Sequence, residues 1–420
     1  MNDMITQMQT QIKTETNIKL PLAFILFGLV SFALAQSLLW INTSALSSGV
    51  FRMPDLWMAA HFLLLGWAVM VVMGAMYQLV PVAFLTPIWN EKFGFLQFFI
   101  TAIGVAGLSI TLSVKPGVAI FAGVLTVIGI LMFLFQIAMT LLKQEKVNVM
   151  TWFVGSALVF FLLTIVAGLT LTWNLAFGTI SNYDAFFKSH LVFGLTGWFT
   201  LLIFGFSYKM VPMFSLSHGF SMKWAKPAFM MYISGLIVLI VAVWIGTVPL
   251  NIIGWGLLWL GFTGYALDMK EIITKRIKKK LDQPFIFSLA AIGFGWLLHT
   301  TALLLAVLQV NDAAIWSWLV YLYIMMWIVF SIMGYLYKIV PFLWWTHKYS
   351  GSVGKKDVPT LKAMIQEKWG TILFTAMTFG VMVLAVTSMM GLPVLAFTAQ
   401  GILTAASALY VISIARVLTR

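Results

Sequence analysis

Residues 67–81 read WAVMVVMGAMYQLVP, and the same frame returns as WFTLLIFGFSYKMVP at 198–212 and as WIVFSIMGYLYKIVP at 327–341. Each copy keeps the spacing W-x6-G-x2-Y-x3-P, and the copies lie 131 and then 129 residues apart. A fixed period of this kind marks a repeated structural unit. Around the repeats the chain of 420 residues is 62% apolar, 15% aromatic and 9% charged. Soluble domains carry about 25% charged residues, so this composition excludes them and reads as an integral membrane protein. The apolar runs are long and unbroken, which argues for helices rather than the short alternating strands of a membrane barrel.

Twelve spans follow, at about 20–41, 56–83, 94–113, 117–142, 150–172, 186–214, 226–246, 249–268, 284–309, 314–345, 370–390 and 393–416. The repeated motif falls on the second, sixth and tenth of them. Its period is therefore four helices, an even number, and the three units share one orientation across the membrane. The expected fold is all-α: three four-helix arcs (about 20–142, 150–268 and 284–416) around a pseudo-threefold axis, in one membrane domain from 20 to 420 behind a polar tail, 1–19. In that frame the repeated Gly lets helices approach, Trp and Tyr are expected to anchor at or near the membrane interface, and Pro to close the helix.

The net charge of +13 is a matter of sidedness rather than of nucleic acid. Of 25 basic residues, only Arg52, Lys115 and Lys188 fall on the side opposite the termini. The positive-inside bias then puts both termini in the cytoplasm of a plasma-membrane protein, with the run Lys275 to Lys280 a topology signal at the lipid headgroups. Lys209 and Lys338, next to the repeated Tyr, are expected to snorkel. With no cysteine, thiolate metal sites and iron–sulfur clusters are excluded. All twelve acidic residues fall in loops or near helix ends, which weakens a proton-coupled transporter, and no carboxylate pair, Ser/His/Asp set or phosphate loop is present.

Five histidines remain as chemistry-bearing groups. His218 and His347 follow the sixth and tenth helices and read as surface residues. His61, His190 and His299 fall in the outer half of the membrane, where imidazole needs either a hydrogen-bonding partner across helices or a metal. In the repeat, His61 aligns with Val192 and Tyr321, and His190 with Ala59 and Leu319. The histidines are thus additions to a shared scaffold.

With twelve helices in three parallel arcs, HFLLLGWAVMVVMGAMYQLVPV from 61 and HLVFGLTGWFTLLIFGFSYKMVPMF from 190, the chain resembles the catalytic subunit of haem-copper oxidases and nitric oxide reductases. The resemblance implies that His61 is an axial haem ligand and that His190 matches a copper or non-haem iron ligand. It departs where that family has a His-His pair on the seventh helix, here WAKPAFMMYISGLIVLIVAVWIGTVP, and a His-x-His on the tenth, here Tyr321-Leu322-Tyr323. The expected protein is a haem-binding, oxidase-like scaffold with an incomplete reducing centre. A haem b would be held by His61 with His299, Tyr321, Tyr323 or a Met as second ligand, His190 would serve a second haem or a copper ion, and any enzyme activity would be that of an oxidoreductase. Its role would lie in respiratory electron transfer, with quinol as a plausible donor, or in handling O2 or NO. The alternative is a haem-free transporter or a respiratory assembly partner.

Overall fold

A computed structural model describes residues 16–144, 146–352 and 358–420. Asp3, Lys13, Glu15, Glu145, Lys355, Lys356 and Asp357, with most of the expected tail, lie outside the described residues. Each of the twelve apolar runs is a helix long enough to cross a membrane: α1 Lys19–Ile41, α2 Pro54–Phe84, α3 Glu91–Val114, α4 Pro116–Leu141, α5 Val149–Phe177, α6 Tyr183–Ser215, α7 Ala225–Ile245, α8 Val248–Thr274, α9 Gln283–Val307, α10 Ala313–Ser352, α11 Glu367–Met389 and α12 Pro393–Thr419. This is an all-α polytopic membrane protein. In hydrocarbon, backbone groups must be satisfied within the segment, and helices of this length do so. Short polar signals set their ends. Asn90 and Asp312 cap α3 and α10, Asn148 and Thr151 form a capping box on α5, and Gly178 and Gly246 close α5 and α7 at positive φ.

The repeated helices are the inner ones. In their most apolar stretches, 61%, 78% and 83% of the residues of α2, α6 and α10 are buried, against 33–56% in the other nine. The first helix of each arc packs on this inner helix through the repeated glycine. A Cβ on Gly74 would sit 2.7 Å from Pro21 O and 2.9 Å from Phe24 Cβ, and one on Gly205 would sit 3.0 Å from Phe153 Cβ; at Gly334 it would overlap Ser288. The ring closes because α4 packs on α5, α8 on α9, and α12 on α1.

Two expectations are corrected. Trp67, Trp198 and Trp327 are not interface anchors: each is buried within the protein, the first two stacked on Phe32 and Phe161 at 4.4 and 4.2 Å between ring centroids. Tyr77, Tyr208 and Tyr337 are buried as well, and their hydroxyls donate to Gln97, Asp268 and Ser413 on an outer helix of the same arc. The repeat places these rings on the inner helices, where packing between helices takes the amphipathic side chains away from the lipid boundary. Nor does proline always close the helix. After Pro81 and Pro212 the chain turns out at Leu85 and Leu216, both left-handed, but after Pro341 helical turns run on to Ser352. Trp344 and Trp345 pin those extra turns by donating to the carbonyls of Arg420 and Pro359.

At the face that carries the termini, Lys209 is exposed, as snorkelling requires, whereas Lys338 pairs with Asp282, which also binds Lys278 at 2.8 Å.

Candidate site at the first helix junction

All three inner helices change winding at the same register. Residues Phe62–Val69, Val192–Phe199 and Tyr323–Val329 are π-helical within otherwise α-helical spans. A π turn takes one residue more per hydrogen-bonded ring than an α turn and is frequent at functional sites. His61 immediately precedes the first π segment, His190 lies two residues before the second, and Tyr323 opens the third.

His61 and His190 both lie on the side of α5, reached from α2 and from α6. Trp57, His61 and Leu65 are four residues apart on one face of α2, and Trp57 and Leu65 pack toward a cluster formed by Leu108 and Leu112 of α3, Ala119 and Ala122 of α4 and Leu175 of α5. His190 leans on α5 from the other side. Its ring fits over Gly168, where a Cβ would stand 3.0 Å from His190 Cε1, and its Nδ1 is 3.0 Å from Thr164 O. Above them, at the face opposite the termini, Asp184 binds both Arg52 and Lys188 at 2.7 Å, tying the start of α6 to the segment before α2.

Their hydrogen bonds define a tautomer. His61 Nδ1 lies 2.8 Å from Trp57 O, and a carbonyl can only accept, so in both rings Nδ1 carries the proton. Nε2 is then a bare lone pair, and neither Nε2 has a hydrogen-bond partner among the described residues. Both side chains are half-buried rather than sealed. An imidazole whose Nδ1–H is held by a backbone carbonyl while Nε2 is free is prepared to bind a metal.

His299 is differently placed. It is completely buried, with Nδ1 2.8 Å from Gly295 O and Nε2 3.1 Å from the hydroxyl of Tyr232 on α7. Both ring nitrogens are engaged. Its neighbours are the rings of Phe262 at 4.5 Å and Tyr323 at 5.5 Å. Tyr323 Oη meets Thr200 Oγ1 at 2.6 Å, and Thr200 also accepts from Trp327 Nε1 and donates to Leu195 O, five residues back in the π segment. This second junction is a closed hydrogen-bond network. The third holds amides instead: Gln400 donates to Gln36 at 3.0 Å, and the Gln36 amide nitrogen is 3.9 Å from Met325 Sδ. Tyr321 is buried beside Trp318, its hydroxyl without a partner among the described residues.

The sequence-derived ligand candidates thus divide. His61 and His190, which the resemblance gives to different metals, both lie beside α5, while His299 and Tyr323 are built into another junction. Thr164 and Gly168, which seat His190, carried no signal of their own in the sequence. His218 and His347 are exposed as expected. Among the described residues no group of three or more His, Asp or Glu could hold a metal ion, so a copper ion at His61 and His190 would have two protein ligands. A haem iron takes no more than two axial ligands from the protein, and a pair of free Nε2 atoms suits that number. No family model matches the chain, and no curated protein matches it significantly.

Proposed function

We propose that this chain is a b-type haem protein of the membrane, a divergent relative of the haem-copper oxidase catalytic subunit, in which His61 and His190 hold the iron from α2 and α6. The observation that supports it is the shared tautomer, with Nδ1–H given to Trp57 O and Thr164 O and Nε2 free, in two rings that lie beside the same helix, α5. Bound haem would supply a one-electron centre and, where one axial position opens, a place for a diatomic gas. The chain's own part is to fix both rings by backbone carbonyls, raise the basicity of Nε2 through those hydrogen bonds, and surround the pair with apolar helices. Arg52 and Lys188 share the single carboxylate of Asp184, which leaves one net positive charge at this end of the pair, suited to a haem carboxylate.

The role that fits is respiratory electron transfer, with quinol as donor, or the handling of O2 or NO, in the plasma membrane with both termini in the cytoplasm. Any catalysis would be that of an oxidoreductase. The test is haem and iron content of protein purified from a haem-replete host, for wild type, His61→Ala, His190→Ala and His299→Ala. About one haem per chain is expected, lost in the first two variants and kept in the third. Haem-free wild type would refute the reading and favour a cofactor-free transporter or assembly partner on the same scaffold.

A further inference from the structure

On the pseudo-threefold axis the three inner helices do not fill the space between them. Between them lies a cavity of about 60 Å³. Its walls follow the repeat: Ala75, Phe206 and Tyr335 occupy equivalent positions, as do Leu79, Met210 and Ile339 one turn further on. The cavity persists because Ala75 is small where its two counterparts are aromatic, and three helices held apart by those rings cannot close over the difference. Tyr335 Oη is bound to Ser207 Oγ at 2.8 Å, and every other wall side chain is hydrocarbon or thioether. Water needs two to four polar partners to stay in such a place, so the cavity is dry. On the same helical faces, just past the repeated prolines, Val82, Met213 and Phe342 are 44%, 43% and 48% exposed, which gives the axis an apolar mouth at the face of the termini.

We propose that this axial cavity is a binding site for one small apolar gas molecule of diatomic size. Volume selects the class. Apolar protein cavities of about 150 Å³ take up benzene or xenon, and one of less than half that size matches a diatomic or a single xenon atom rather than a ring. Lining of uniform apolar character offers no discrimination by hydrogen bonding, so occupancy follows gas concentration. The site lies apart from His61 and His190, and the inference holds whether or not haem binds there.

Xenon is the probe, and two wall residues report on it. In full-length protein carrying 13C-methyl methionine, rising xenon pressure should shift the methyl resonances of Met76 and Met210 saturably. Exposed Met231 and Met382 should show only a small linear drift. Ala75→Leu fills the space and should reduce the Met76 and Met210 shifts severalfold. Val72→Leu is a milder filling variant should Ala75→Leu not fold, and Ile332→Ala enlarges the cavity and should increase the shifts. A linear response common to all methionines would overturn the proposal, as would saturable shifts unchanged by filling. No response, the result if an acyl or detergent chain already sits on the axis, would overturn it equally.

Discussion

The difference between a histidine that binds a cofactor and one that holds helices together lies in its second nitrogen. His299 spends both nitrogens inside the protein, on Gly295 O and Tyr232 Oη. His299→Ala should therefore remove the ring nitrogen that the buried Tyr232 hydroxyl binds and cost about 1–3 kcal/mol, besides opening a void. Thermal unfolding followed by tryptophan fluorescence should show a lower midpoint, and adding Tyr232→Phe should recover part of it. No loss of stability would contradict the structural role given to this residue. Sequence alone could single out all three intramembrane histidines, because imidazole is conspicuous in an apolar run. It could not divide them. The division depends on Thr164 O, Gly168 and Tyr232, which come from neighbouring helices and have no distinctive spacing relative to the histidines they meet.

At the scale of the helix, the repeated glycines and the π segments carry the architecture. Gly74 is in contact with α1, and Gly74→Ala should destabilise by about 1–3 kcal/mol through overpacking against Pro21 and Phe24. Gly155 on α5 has nothing within 4 Å of the position its Cβ would take, so Gly155→Ala should be neutral or slightly stabilising. The pair is compared by thermal midpoint in one detergent, and equal effects would contradict the packing described. The motif W-x6-G-x2-Y-x3-P revealed both the repeat and the role of its glycine. Its aromatic residues pointed the wrong way, since Trp and Tyr near helix ends suit a lipid boundary equally well until the inner position of α2, α6 and α10 is known. The π segments left no readable trace, because one extra residue per turn changes hydrogen bonding without changing composition.

For the whole molecule, span number and approximate ends were legible from hydropathy, and the shared orientation of the arcs followed from the even period. The axial cavity was not, since it results from the mismatch of Ala75 with Phe206 and Tyr335 across an axis that no local stretch encodes. Twelve spans put the start of α1 and the end of α12 on one face, and the proposal that this face is cytoplasmic rests on the distribution of Lys and Arg. Green fluorescent protein fused to the C-terminus should fluoresce and alkaline phosphatase fused there should be inactive; the reverse pattern would contradict the orientation. The central claim is that one iron joins α2 to α6 through His61 and His190, and it is tested most directly by ligand replacement. In His61→Gly protein the low-spin, bis-imidazole electron paramagnetic resonance signal expected of the wild type should be lost, and added imidazole should restore it, with the same behaviour in His190→Gly. A wild type without that signal, or one that keeps it in either variant, would contradict the account.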